Sequence, residues 1–95
     1  MKSTAVVRTD KASKYLVQLS KHWTHRFPTL TYTPERADVP LPAGPAVLLA
    51  RQGELEATVT AGDEAALDRV EKVVEEHVKR FAFREAVEFE WRREG

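Results

Sequence analysis

Three histidines, His22, His25 and His77, are the residues of this chain that could titrate near neutral pH or hold a transition metal well. His22 and His25 stand three apart, so on a helix their rings lie on adjacent turns and can approach one another. Two imidazoles can hold zinc or ferrous iron when a third ligand and an open position are available, which makes His22 and His25 the candidate metal pair. The specific zinc-protease pattern is His-Glu-x-x-His, and His22-Trp23-Thr24-His25 has neither its spacing nor its glutamate. A purely structural account competes: imidazoles in the last turn of a helix complement the dipole and can bond free carbonyls. His77, between Val74 and Phe81 in an apolar stripe, reads as a satisfied core or interface histidine. The pattern demands no resident cofactor; zinc or iron is what it could hold.

Other chemistry is poorly supplied. The chain has no cysteine, which removes disulfides, thiolate metal sites and thiol nucleophiles. Ser3, Ser13 and Ser20 have no nucleophile-elbow glycines around them, and the four glycines form no phosphate-cradling loop. Glu88 and Glu90 alternate with apolar residues as an exposed strand face would. Lys11, Lys14, Lys21 and Arg26 could touch nucleic acid, but Trp23 belongs to an apolar helix face and leaves no stacking platform. Nucleic-acid binding is disfavoured accordingly. Lys21 and Arg26 flank the two histidines, and Arg80 and Arg84 can present guanidinium forks to an anion. The candidate ligand or partner site is therefore Lys21, His22, His25, Arg26, Arg80 and Arg84.

The elements that must position these residues follow from periodicity. Thr4 to Arg8 is a short β-branched first strand. Thr9-Asp10 supplies an N-cap, and Ala12, Tyr15, Leu16, Leu19 and Trp23 then mark one face of a helix reaching about Arg26, with Pro28 beyond it. Tyr15, Gln18, His22 and His25 form a stripe along the edge of that face. Thr29 to Thr33 reads as a second strand. In Pro34 to Pro45 the prolines permit at most a short edge strand. Ala46 to Ala50 and Glu54 to Thr60 make a hairpin around Arg51-Gln52-Gly53. Asp63 caps a second helix whose buried stripe is Leu67, Val70, Val74, Val78 and Phe81. Val87, Phe89 and Trp91 alternate as a last strand. The order β-α-β-(β)-β-β-α-β implies a single α+β domain over residues 1–95, two helices packed on one face of a mostly antiparallel sheet.

Helix direction hinges on the proline-rich stretch. If it is a strand, the helices run antiparallel and His22 and His77, both near C-termini, lie at opposite ends. If it is a loop, the helices run parallel and the two meet. The four-strand alternative is preferred, with no shared histidine site. The helices also match at a displacement of 55 residues, Ala12 falling on Leu67 and His22 on His77, a similarity that shared amphipathic pattern explains.

Fifteen basic and fifteen acidic residues cancel, yet residues 1–34 carry six Lys/Arg against the single acid Asp10, and residues 35–95 nine against fourteen. A basic N-terminal third suits either attraction to the acidic remainder, to a second copy, or to an anionic partner. The N-terminus has no apolar signal region, and the longest apolar run, Ala46 to Ala50, is far below the ~20 residues of a membrane span. A cytoplasmic protein with no membrane partner is expected.

Two segments, Lys14-Tyr15-Leu16-Val17-Gln18-Leu19-Ser20-Lys21-His22-Trp23-Thr24-His25 and Arg80-Phe81-Ala82-Phe83-Arg84-Glu85, resemble the signatures of a bacterial family, domain of unknown function 2218. Its members read roughly RYLxQLCKHWxHK and HLxRFAFREalxvxW. The resemblance runs through Thr9, Ala12, Val73-Val74, His77 and Trp91, and Ser20 stands where the motif has cysteine. It implies a stand-alone bacterial domain, at times an extension on flavin-dependent siderophore-interacting reductases, with an accessory role near iron handling. Phe81 and Phe83 are expected to plug the core, with Arg84 and Glu85 leading into the final strand.

The function expected is a non-catalytic binding or docking module, homodimeric or bound to a partner protein, recognising a small anionic or iron-bearing ligand near His22, His25 and the basic face of the first helix. The alternative is a small enzyme using His22 or His25 as general base or metal ligand.

Overall fold

The computed structural model describes residues 1–94. Its elements are β1 (Lys2–Arg8), α1 (Ala12–Thr24), β2 (Thr31–Tyr32), β3 (Arg36–Val39), β4 (Ala46–Arg51), β5 (Glu54–Thr60), α2 (Glu64–Phe81) and β6 (Arg92–Glu94). The strands form one antiparallel sheet in the order β2-β3-β4-β5-β1-β6. Both helices cover the same face, α1 over β3, β4 and β5, and α2 over β5 and β1. This is the α+β architecture expected, with the proline-rich stretch supplying β3.

Alternation decides which face is covered. Ala5 and Val7 of β1, Ala37 and Val39 of β3, Ala46 and Leu48 of β4, and Leu55, Ala57 and Val59 of β5 point under the helices and are buried. From above, Leu16, Leu19 and Trp23 of α1 and Leu67, Val70, Val74 and Val78 of α2 complete the core. Each fully buried leucine contributes about 1.5–3 kcal/mol relative to exposure. At the hairpin, Gly53 adopts φ 78°, the conformation a glycine takes without steric cost. Gly44 has a different reason to be glycine: a Cβ there would lie 1.9 Å from the carbonyl oxygen of Thr60. The proline-rich turn thus comes too close to the end of β5 for any side chain.

Several boundaries differ from the sequence reading. Asp10 does not cap α1; the Thr9 hydroxyl instead accepts the Lys11 amide at 3.1 Å, and the helix starts two residues after Asp10. Asp63 caps α2 as expected, its carboxylate accepting the Ala66 amide at 2.8 Å. The last strand is not Val87 to Trp91 but Arg92–Glu94, which pairs Lys2 with Glu94, Ser3 with Arg93 and Thr4 with Arg92. Val87, Phe89 and Trp91 are half-buried against the core, so their alternation was real, but side chains rather than a backbone ladder hold them. Phe89 stacks on Trp91 at 5.6 Å, the Trp91 indole donates to Glu75 at 3.0 Å, and Arg93 bonds Glu71 and Asp68.

Following the pairings across the sheet, β1 and β2 run one way and β5 and β6 the other. The helices linking each pair are therefore antiparallel, as the four-strand reading required. They are also staggered. α1, with 13 residues, lies beside the C-terminal part of the 18-residue α2 and the turn after it. Tyr15 faces Glu85, Gln18 shares a cleft with Phe81, and His22 and Trp23 reach His77.

Candidate functional site

The stagger overturns one expectation. His22 and His77 are not at opposite ends: their ring centroids are 5.9 Å apart, with an interplanar angle of 45°. Opposite ends would follow for helices of equal length in full overlap, whereas α2 has 18 residues against 13 and projects past α1. His77 also lies a turn inside the end of α2, not in its last turn, whose basic residues are Lys79 and Arg80. Its Nδ1 is 2.7 Å from the Val73 carbonyl, so Nδ1 donates to that oxygen and Nε2 lies on the far side of the ring from this bond. Trp23, 3% exposed, packs its ring 5.1 Å from His77, and Phe81 meets His22 edge-on at 5.9 Å.

One turn toward the start of α1, the helices bound an open cleft of about 320 Å³ lined by Lys11, Lys14, Tyr15, Gln18, Phe81, Phe83 and Arg84. Its floor is fixed by a long-range cluster. The Tyr15 hydroxyl donates to Glu85, and the Thr9 hydroxyl lies 3.1 Å from both carboxylate oxygens. The Tyr15 and Thr9 hydroxyls and the charge of Lys11 hold the Glu85 carboxyl below its ordinary range, against partial burial. Burial first, and then Glu85, pushes the Tyr15 phenol above 10.0. Glu85 does not simply lead into the last strand; it ties the turn after α2 to the start of α1.

Phe83 corrects a further expectation, being 74% exposed rather than plugging the core, with the Arg84 guanidinium 5.4 Å from its ring centre. Phe81 is half-buried and packs against the core as expected.

Of the residues singled out in the sequence, Arg84 lines the cleft and His22 stands one turn beyond its Gln18 wall. Lys21, His25, Arg26 and Arg80 are exposed and outside that lining. Among the described residues the ring neighbours of His22 are His77 and Phe81, not His25, and no group of three or more histidine and carboxylate residues is arranged to hold a metal. Lys11, Lys14 and Gln18 were missing from the candidate site. Their signal was present: positions 11, 14, 18, 22 and 25 follow helical spacing and form one stripe. The two segments that carried the family resemblance thus meet along one inter-helix groove.

Comparison with known proteins agrees with that resemblance. A family model described as an uncharacterized protein conserved in bacteria (DUF2218) matches residues 4–92. The fold is similar to the NMR structure of PA4090 from Pseudomonas aeruginosa, with a TM-score of 0.80 and 34% identity, covering 96% of this chain and 94% of that one. No curated protein matches the chain.

Proposed function

The chain belongs to the DUF2218 family of uncharacterized bacterial proteins, and from that premise we propose that it is a binding module whose inter-helix groove takes a small anionic ligand. The observation that carries this reading is the composition of the cleft: Lys11, Lys14 and Arg84 surround it, with Gln18 as a neutral donor and acceptor. The carboxylate beneath, Glu85, is already engaged by Tyr15 and Thr9, so the cations facing the opening outnumber the available acids. Phe81 and Phe83 add apolar surface on one wall, which suits an anion carrying a planar or hydrocarbon body. Iron-bearing anions fall in this class, and the family's resemblance-based link to siderophore handling makes them the first to try.

The test is a titration with inorganic phosphate, citrate and ferric citrate, followed by backbone amide shifts (by line broadening for the iron complex). Saturable changes at Lys14, Gln18 and Arg84, weakened at least tenfold by Lys14→Glu or Arg84→Glu and by raised salt, support the reading. Absence of saturation up to about 10 mM, or charge reversal without effect, defeats it.

A second reading, docking on a partner protein or a second copy, is favoured by Phe83, whose ring is exposed beside a guanidinium in the manner of interface anchors. Phe83→Ala should then abolish association seen by sedimentation while leaving small-anion shifts intact.

A further inference from the structure

We infer that His22 and His77 form a two-histidine site for a divalent transition metal, bridging α1 and α2 at the end of the groove. The first support is distance. A metal sits about 2.0–2.1 Å from each imidazole nitrogen, and the ring centre lies about 1 Å farther, so two rings sharing one ion have centres about 5–6 Å apart. The observed 5.9 Å lies within that span. Support also comes from the state of the ligand atoms. His77 donates Nδ1–H to the Val73 carbonyl, which fixes its ring and leaves Nε2 as the nitrogen available to a metal; backbone carbonyls serve metal-bound imidazoles elsewhere in this way. His22 is exposed, so its ring can turn toward His77 at little cost.

The surroundings define the kind of ion. Trp23 and Phe81 pack against the pair and make one side of the site apolar. Among the described residues no carboxylate or third histidine completes a cluster, so the protein supplies two nitrogen ligands and water fills the rest. Two imidazole ligands with open positions favour zinc, copper(II) or nickel over magnesium or calcium, which require oxygen donors. The cationic cleft that contains Gln18 lies one turn of α1 away. The metal site stands independently of anion binding, because its ligands are not cleft residues.

The experiment is a titration of zinc alone into metal-stripped protein at pH 7.5, observing the histidine ring nitrogens by NMR. Expected are concerted, saturable shifts at His22 and His77 with a dissociation constant below about 100 µM. His22→Ala should weaken binding at least tenfold, and His25→Ala should change it less than twofold. Because His77 is half-buried, His77→Gln is paired with a two-dimensional amide spectrum to establish that the variant is folded. Unmoved rings, equal loss from His25→Ala, or full affinity in either His22→Ala or folded His77→Gln overturns the site.

Discussion

The hydroxyl of Tyr15 donates a hydrogen bond to the carboxylate of Glu85, joining residues 70 apart in the sequence and closing the turn after α2 onto the first turns of α1. Tyr15 is 4% exposed, and loss of the bond leaves a carboxylate half-buried with only the Thr9 hydroxyl. Tyr15→Phe should destabilise the protein by about 1–2 kcal/mol, lowering Tm by roughly 5–15 °C, with faster amide exchange at residues 82–86. Unchanged exchange in that turn would show that the bond does not hold it.

The same pair shapes the dependence of stability on pH. With its carboxyl below the ordinary 4.5, Glu85 contributes stability that is present above that value and lost as pH falls through the folded-state value. Tyr15, raised above 10.0, contributes stability that is complete below 10.0 and lost as pH rises through its folded-state value. Denaturant unfolding across pH should show a shallower acid limb in Glu85→Gln and a shallower alkaline limb in Tyr15→Phe. Asp38, held down by the Arg36 guanidinium, keeps part of the acid limb in both variants.

Ser20 is fully buried in α1, and its hydroxyl has no hydrogen-bond partner among the described residues. A buried hydroxyl without a partner costs free energy, and alanine is the better helix former. Ser20→Ala should stabilise the protein by about 1 kcal/mol, read as a higher denaturation midpoint at unchanged slope. A lower midpoint would mean that the volume of the hydroxyl matters more than its polarity.

Two glycines separate close approach from open space. Gly44→Ala must displace the Thr60 carbonyl, whereas a Cβ at Gly62 meets nothing within 4 Å among the described residues. The first substitution should cost on the order of 2–4 kcal/mol and the second less than about 0.5 kcal/mol. Comparable midpoints for the two variants would refute the close packing of the proline-rich turn on β5.

Arg93 bonds Asp68 and Glu71 from β6, and its guanidinium is held more strongly protonated by these carboxylates. Arg93→Ala should release the last strand while the core remains folded. Hydrogen exchange should then rise at Arg92 and Glu94 but not at Leu55 or Val74, and uniform protection would contradict this tether.

Local rules carried much of the fold. The stripe Leu67, Val70, Val74 and Val78, the Asp63 cap and the turn at Gly53 each depend on neighbours within a few residues, and each was legible. The failures involve choices between partners. Thr9 and Asp10 both resemble caps, yet no side chain caps α1, whose N-cap position is Lys11; the Thr9 hydroxyl accepts the Lys11 amide and bonds Glu85. Val87, Phe89 and Trp91 alternate as a strand would, but nothing local reveals that ladder bonds begin only at Arg92. The antiparallel course of the helices followed from counting strands; their axial offset did not, because it depends on how an 18-residue helix seats against a 13-residue one. The meeting of His22 and His77 was hidden for that reason. Phe83 misled because an aromatic residue beside Phe81 looks like core until the turn after α2 directs it outward.

The pairing of Lys2 with Glu94 has a mechanical consequence. Tension applied at these two ends acts across antiparallel β1 and β6, along the direction of the bonds that join them. The contacts would peel in succession, Lys2–Glu94 first and Thr4–Arg92 last, instead of shearing together. In a stretching experiment the chain should lengthen at low force by the release of β6, and only then should the ladder between β1 and β5 bear the strain.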